Sequence, residues 1–217
     1  MRKFRDKHPK RTYSDTAKTH YSEYRMELRV DFNERCAYTD SLDIWWADGF
    51  HIDHFAPKKP KIVDPVKLQK FTALEHSYTN LIYANPQVNR AKSNDWPSDD
   101  PTISILDDKG YLDPVAVDYN EYFERTNAGG IFPKNDPIAK YMWKRLKLYL
   151  KRYELYWRIE QIIIRLEKLI ELKGKMDLPP AAKTELLESI AELTEEHLKY
   201  LKYLKVNYTE VTRGTAK

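Results

Sequence analysis

The sequence predicts an α+β protein: a small core with short strands, a helix before it, and a long helical hairpin after it. Three observations predict this. Apolar residues recur at intervals of three and four through residues 13–35 and, at period seven, after Pro137; short β-prone runs lie between 36 and 84; and residues 98–136 are rich in Asp, Asn, Gly and Pro. At 217 residues and 25.8 kDa the chain is long enough for a compact core with an appended module. The expected divisions are a basic arm and N-terminal helix over 1–35, the core over 36–97, a looped connecting region over 98–136 and the hairpin over 137–217.

Each element has its own signal. Tyr21, Tyr24, Leu28 and Phe32 share one face of a helix within 13–35. Cys36-Ala37-Tyr38 and Phe50-His51-Ile52 are β-prone, and the intervening Asp40, Asp43, Asp48 and Gly49 make the pair read as an irregular hairpin. Pro57 and Pro60 end the second strand, and Leu68, Phe71 and Leu74 mark a short helix. Asn80-Leu81-Ile82-Tyr83-Ala84 leads to Asn85-Pro86, a favoured N-cap followed by the residue favoured at the first helical position. A helix starting there carries Asn89 and Lys92 on a similar face, and Trp96-Pro97 stops it. After Pro137, Tyr141, Leu148, Leu155, Ile162 and Leu169 recur every seven residues, as do Met142, Tyr149, Tyr156, Ile163 and Ile170, which predicts one long helix. Residues 174–180 break it, and Leu186, Ile190, Leu193, Leu201, Leu204 and Tyr208 form a second, antiparallel helix. Tyr141, Tyr149, Tyr153, Tyr156 and Trp157 span too wide an arc for one partner helix, so either the core covers the remainder or the hairpin is a protein interface, with a second copy or a separate subunit.

Composition narrows the function classes. With 41% hydrophobic and 32% charged residues and a mean hydropathy of −0.74, no apolar run approaches the roughly 20 residues a membrane helix needs, so no membrane partner is expected. Basic residues at the start are followed by no apolar core, so no secretory signal is read and the expected location is the cytoplasm. Cys36 is the sole cysteine, which excludes an internal disulfide and a zinc site built on two or more thiolates. Net charge is only +4, so local clusters matter more: residues 1–11 carry six Lys or Arg against one Asp, and Lys58-Lys59-Pro60-Lys61 forms another. The arm reads equally as solvated or as touching nucleic acid.

The chemistry concentrates at His51-Ile52-Asp53-His54-Phe55-Ala56-Pro57-Lys58. Strand alternation puts His51 and Asp53 on one face and His54 on the other, so a kink at the strand end is needed to bring Asp53 and His54 to one phosphate. Asp53 supplies the hard oxygen a divalent cation prefers, and a neutral His54 takes a proton from attacking water. Lys58, Lys59 and Lys61, with Arg90 and Lys92 on the following helix, are the candidate phosphate contacts. His20, His51 and His76 read as structural or surface residues, and His197 as an interface histidine.

Ile-Asp-His-Phe-x-Pro-Lys, then Asn80-Leu81, then Asn89-x-x-Lys92, resembles the signature of the HNH (ββα-metal) endonucleases over roughly residues 30–97. The resemblance implies a small ββα-metal core, with His54 as general base, Asp53 and Asn89 as ligands of one Mg²⁺ or Mn²⁺, and Asn80 as the residue tying down the loop that aims the base. The wider pattern is similar to the HNH subunits of Septu and related retron anti-phage systems, which implies hydrolysis of DNA in defence and an ATPase subunit as partner. Two alternatives stay open: a nuclease acting on structured RNA, and a non-catalytic nucleic-acid-binding or scaffold protein with a degenerate HNH core. The chain departs from the pattern at one place. Many relatives join the two halves of the motif by a zinc on two Cys-x-x-Cys pairs; here those positions read Cys36-Ala37-Tyr38-Thr39 and Asn85-Pro86-Gln87-Val88. No structural zinc is expected, and Trp45, Trp46, Phe50, Phe55 and Tyr83 are expected to replace it by packing.

Overall fold

The computed structural model describes residues 1–46, 49–61, 64–175 and 178–206, and the fold is mixed α+β with small sheets and long C-terminal helices. The chain divides into two compact units, Met1–Asn127 with Ile131–Tyr149, and Ala128–Gly130 with the residues from Leu150 onward. Among the described residues no helix is long and apolar enough to cross a membrane.

The first unit opens with β1 (Arg2–Lys3), then a 3₁₀ turn (Tyr21–Tyr24) running into α1 (Arg25–Asp31). The first residues are therefore no free arm: Arg2 and Lys3 pair with Arg125 and Glu124, and Phe4 and Arg5 are buried. Nor does the first helix fill 13–35. Asp31 draws residue 12 across the helix instead, accepting from the Thr12 backbone N at 2.6 Å, from Thr12 Oγ1 at 2.5 Å and from the Tyr78 hydroxyl at 2.7 Å. Further on, the Lys18 backbone N–H is taken by the Tyr24 hydroxyl at 2.7 Å and so closes no i→i−4 helical ring.

Next come β2 (His51–His54), α2 (Pro65–Thr72), β3 (Leu81–Ala84) and α3 (Pro86–Lys92). The irregular hairpin expected between 36–38 and 50–52 does not form. β2 pairs antiparallel with β3, Asp53 opposite Ile82 and His54 opposite Leu81, while residue 37 donates its N–H to Tyr83 O at 2.9 Å. β3 is buried along its whole length, so its apolar run is a better neighbour for β2 than the Asp-rich segment. α3 begins where Asn85-Pro86 says it should: the Asn85 side chain accepts the Val88 N–H at 2.9 Å.

The connecting region holds β4 (Ile105–Leu106), β5 (Lys109–Gly110), β6 (Phe123–Arg125) and β7 (Ile131–Pro133). Asp107 and Asp108, at φ 49° and 58°, make the two-residue turn between β4 and β5, a conformation Asp tolerates. β6 lies between β1 and β7. The unit closes with α4 (Pro137–Arg145).

The single long helix predicted after Pro137 is two helices, α4 and α5 (Lys151–Lys175), in different units. Leu146, Leu148 and Leu150 are buried while Lys147 and Tyr149 are exposed, and Lys147 takes φ 55°. Burial of every second residue is incompatible with a continuous helix, so the period-seven columns run through a break. In the second unit α5 packs against α6 (Pro180–Val206), the expected hairpin. There Gly129 (φ 95°) lies under Trp157: a Cβ would stand 2.2 Å from the ring, so only glycine fits.

Candidate active site

Asp53 and His54 end β2, and Asn89 sits one turn into α3. All three line one cavity of about 230 Å³ with Tyr21, Pro57, Lys58, Ser93 and Asn94. Thus the structure brings Asp53, His54 and Asn89 together, and Asn80 stands behind them. Phe55 N donates to Asn80 O at 2.8 Å; Asn80 Oδ1 accepts the Ala56 N–H at 2.8 Å, and Asn80 Nδ2 donates to Ala56 O at 3.0 Å. This side chain imitates a strand partner and pins the turn that leaves β2.

The His54 ring is held on two sides. Its Nε2 lies 2.9 Å from the Glu75 carbonyl oxygen. A carbonyl only accepts, so Nε2 carries the hydrogen and Nδ1 is the basic nitrogen. The Tyr21 ring meets the imidazole edge-on at 4.8 Å, and Lys58 Nζ sits over the Tyr21 ring at 5.1 Å while bonding Glu75 Oε1 at 2.8 Å. Burial lowers the His54 pKa, against the Glu75 hydrogen bond and the Asp53 charge that raise it, so the imidazole is neutral at pH 7.

Asp53 is 4% exposed, and both oxygens have a donor: Tyr38 OH on Oδ2 at 2.9 Å and Lys92 Nζ on Oδ1 at 3.1 Å. Burial pushes its carboxyl up, and Lys92, Tyr38 and His54 pull it back in part. Lys92 itself is 0% exposed; it also donates to His54 O at 2.7 Å and lies over the Tyr111 ring at 5.5 Å. The expectation that Lys92 meets a phosphate is therefore corrected: its ammonium is an internal counterion, because the face it shares with Asn89 is turned to β2. Of the other candidate phosphate contacts, Lys58 is half-buried beside the cavity, and Lys59, Lys61 and Arg90 are exposed.

Asn89 Nδ2 lies 3.1 Å from His51 Nδ1. His51 thus accepts from the amide and leaves Oδ1 as the donor atom Asn89 can offer a cation. The sequence pattern missed this role for His51, as it missed Tyr38 and the Glu75 carbonyl. Only the shared β2 face of His51 and Asp53 hinted at the first; a backbone carbonyl leaves no trace in side-chain spacing.

The positions of the two Cys-x-x-Cys pairs form a hydrogen-bonded knot. Asn85 donates through Nδ2 to Cys36 Sγ at 3.3 Å and to Thr39 Oγ1 at 3.1 Å, and through its backbone N to Cys36 Sγ at 3.4 Å, while Val88 is fully buried. Burial raises the Cys36 pKa, so the sulfur is a neutral thiol. The aromatic residues divide: Phe50 contacts Trp46 and Tyr83, at 6.2 and 5.0 Å, whereas Phe55 meets Trp96 at 5.4 Å. Compared with protein-family models, with curated proteins and with solved structures, the chain has no match.

Proposed function

We propose that this chain is a metal-dependent nuclease of the HNH type, with β2, β3 and α3 as its ββα-metal core, hydrolysing phosphodiester bonds of DNA. The observation that carries the reading is the meeting of Asp53, His54 and Asn89, from a strand end and a helix, in one cavity. His54 Nδ1 takes a proton from water as the water oxygen bonds to phosphorus and the bond to the leaving oxygen breaks. Asn80 and the Glu75 carbonyl keep the imidazole aimed throughout. Asp53 and Asn89 would hold one Mg²⁺ or Mn²⁺ through hard oxygens, completed by water and the substrate phosphate. Bound there, the cation stabilises charge on the phosphoryl and leaving oxygens.

The donor set fits such an ion. Each Asp53 oxygen accepts one hydrogen bond, and a carboxylate offers about four lone-pair positions, so coordination space remains. Among the described residues no three His, Cys, Asp or Glu side chains converge, so the protein's share is one carboxylate and one amide. Lys92 offsets the Asp53 charge, and affinity for the cation is therefore low until a phosphate completes the site. Lys59, Lys61 and Arg90 add sequence-independent attraction for the backbone. By resemblance, the setting is anti-phage defence in the cytoplasm, with an ATPase subunit restraining the nuclease.

The test is incubation of the purified chain with plasmid and with total RNA, with Mg²⁺ or Mn²⁺ and with chelator. Cation-dependent plasmid cleavage is the expected result; loss of RNA alone would reassign the substrate, and no cleavage of either would overturn the nuclease reading. The buried Lys92–Asp53 pair favours one rival, a non-catalytic nucleic-acid-binding or scaffold protein, because an internal cation already neutralises the carboxylate. Mn²⁺ binding in the presence of DNA separates the two, since the rival requires none at Asp53.

A further inference from the structure

We propose that a groove continuing from the His54 cavity, past Ser93 and Asn94 to Lys61 and Arg145, binds the phosphate neighbouring the scissile one on the same DNA strand. This rests on the nuclease reading above. A second cavity, of about 240 Å³, is lined by Lys61, Ser93, Asn94, Asp95 and Arg145, and Ser93 and Asn94 also line the first. The two share a wall because Ser93 leaves α3 at φ 52°, turning the backbone sharply out of the helix. A polynucleotide whose scissile phosphate lies at His54 therefore has a continuous polar path toward two cations.

Arg145 is preorganised for an anion. Its Nε lies 3.0 Å from Asp95 Oδ2 in an ion pair and its Nη2 donates to Lys92 O at 3.2 Å, which fixes one edge of the guanidinium. A planar fork held along one edge presents the other, with Nη1, without a loss of rotamer freedom. Asp95 is no obstacle: the same Oδ2 also accepts from Tyr111 OH at 2.6 Å and Tyr141 OH at 2.5 Å, so its charge is dispersed over three donors. Lys61 is exposed and has no ion-pair partner among the described residues. Nothing inside the fold requires its charge.

The experiment uses the full chain carrying His54→Ala, so that DNA is bound and not cut, and measures Kd for a labelled duplex by anisotropy across a salt series. Adding Lys61→Gln or Arg145→Gln is expected to weaken binding and to flatten the slope of log Kd against log salt by about 0.9 for each phosphate the variant no longer neutralises. Arg145→Lys keeps the slope while weakening binding, because the charge stays and the fork goes. Lys183→Gln, an exposed lysine of α6, leaves both unchanged. Because folding does not need the Lys61 side chain, its variant reads the groove even if Arg145→Gln unfolds. If the His54→Ala chain binds DNA with the same slope in every variant, the groove is overturned and the nuclease reading stands. If that chain binds no DNA at any salt, both fall.

Discussion

His54 and Lys92 sit side by side in the fold and do opposite work. His54 lines the cavity, and its ring meets the protein through one hydrogen bond and one ring edge, so its removal subtracts chemistry more than stability. His54→Ala is expected to slow single-turnover plasmid cleavage by about 10² to 10⁴, with a loss of only about 1 kcal/mol in urea unfolding. Undiminished cleavage in this variant would remove His54 from the reaction. Lys92 is the reverse case. Its ammonium compensates a carboxylate that is itself buried, and breaking such a pair from one side costs about 3–5 kcal/mol. Lys92→Met should therefore shift the urea midpoint sharply down, and Lys92→Met with Asp53→Asn should recover most of the loss, because no uncompensated charge is then left inside. Equal midpoints for the single and double variants would show that Lys92 contributes packing and not charge.

At the scale of elements, Asp95 joins the chain leaving α3 to α4. Its Oδ2 takes hydrogen bonds from Tyr111, Tyr141 and Arg145, and although burial alone would raise its pKa, these donors outweigh burial and hold it below the ordinary carboxylate value of 3.8. A carboxylate whose folded pKa is lowered contributes stability that is fully present above the unfolded value and is lost as pH falls through the folded one. The stability of the wild type should thus decline below about pH 4, and Asp95→Asn should lie lower at neutral pH but lose less over that acid range. Parallel pH curves for the two proteins would disprove the linkage. None of these partners is legible in sequence, since Asp95 and Tyr141 are 46 residues apart. What is legible is local. The Asn85-Pro86 start of α3 depends on near neighbours in the chain, and so does the adjacency of Asp53 and His54 at the end of β2. The strand partner of β2 is not, because pairing is settled by which distant run is most apolar. The break after α4 is hidden because Leu148 and Tyr149 still fall on the two period-seven columns, although burial at 146, 148 and 150 alternates as no helix does.

The second unit raises the question of what covers its outer surface. Along α6 the less exposed residues Leu186, Ile190, Leu193, His197, Tyr200 and Leu204 follow a four-three spacing that suits pairing with α5, while Leu187, Leu198 and Leu201 stay 42%, 50% and 38% exposed. Beyond Lys183, charge along the same helix is segregated: Glu185, Glu188, Glu192, Glu195 and Glu196 come first, and Lys199, Lys202 and Lys205 follow. Two copies of α6 laid antiparallel about a two-fold axis would set each acidic stretch against the other's basic end and cover the leucines of both, which is the self-complementarity an isologous dimer requires. The full chain is therefore expected to sediment at about twice 25.8 kDa at micromolar concentration, and to dissociate as salt screens the Glu–Lys attraction. Leu198→Glu with Leu201→Glu should give a monomer that keeps its melting temperature. Exchanging charges singly, Glu188→Lys or Lys202→Glu, should weaken the dimer, and combining the two should restore it, since the pair meets again with signs reversed. A wild-type chain that remains monomeric at these concentrations would instead leave the leucine stripe to a different partner.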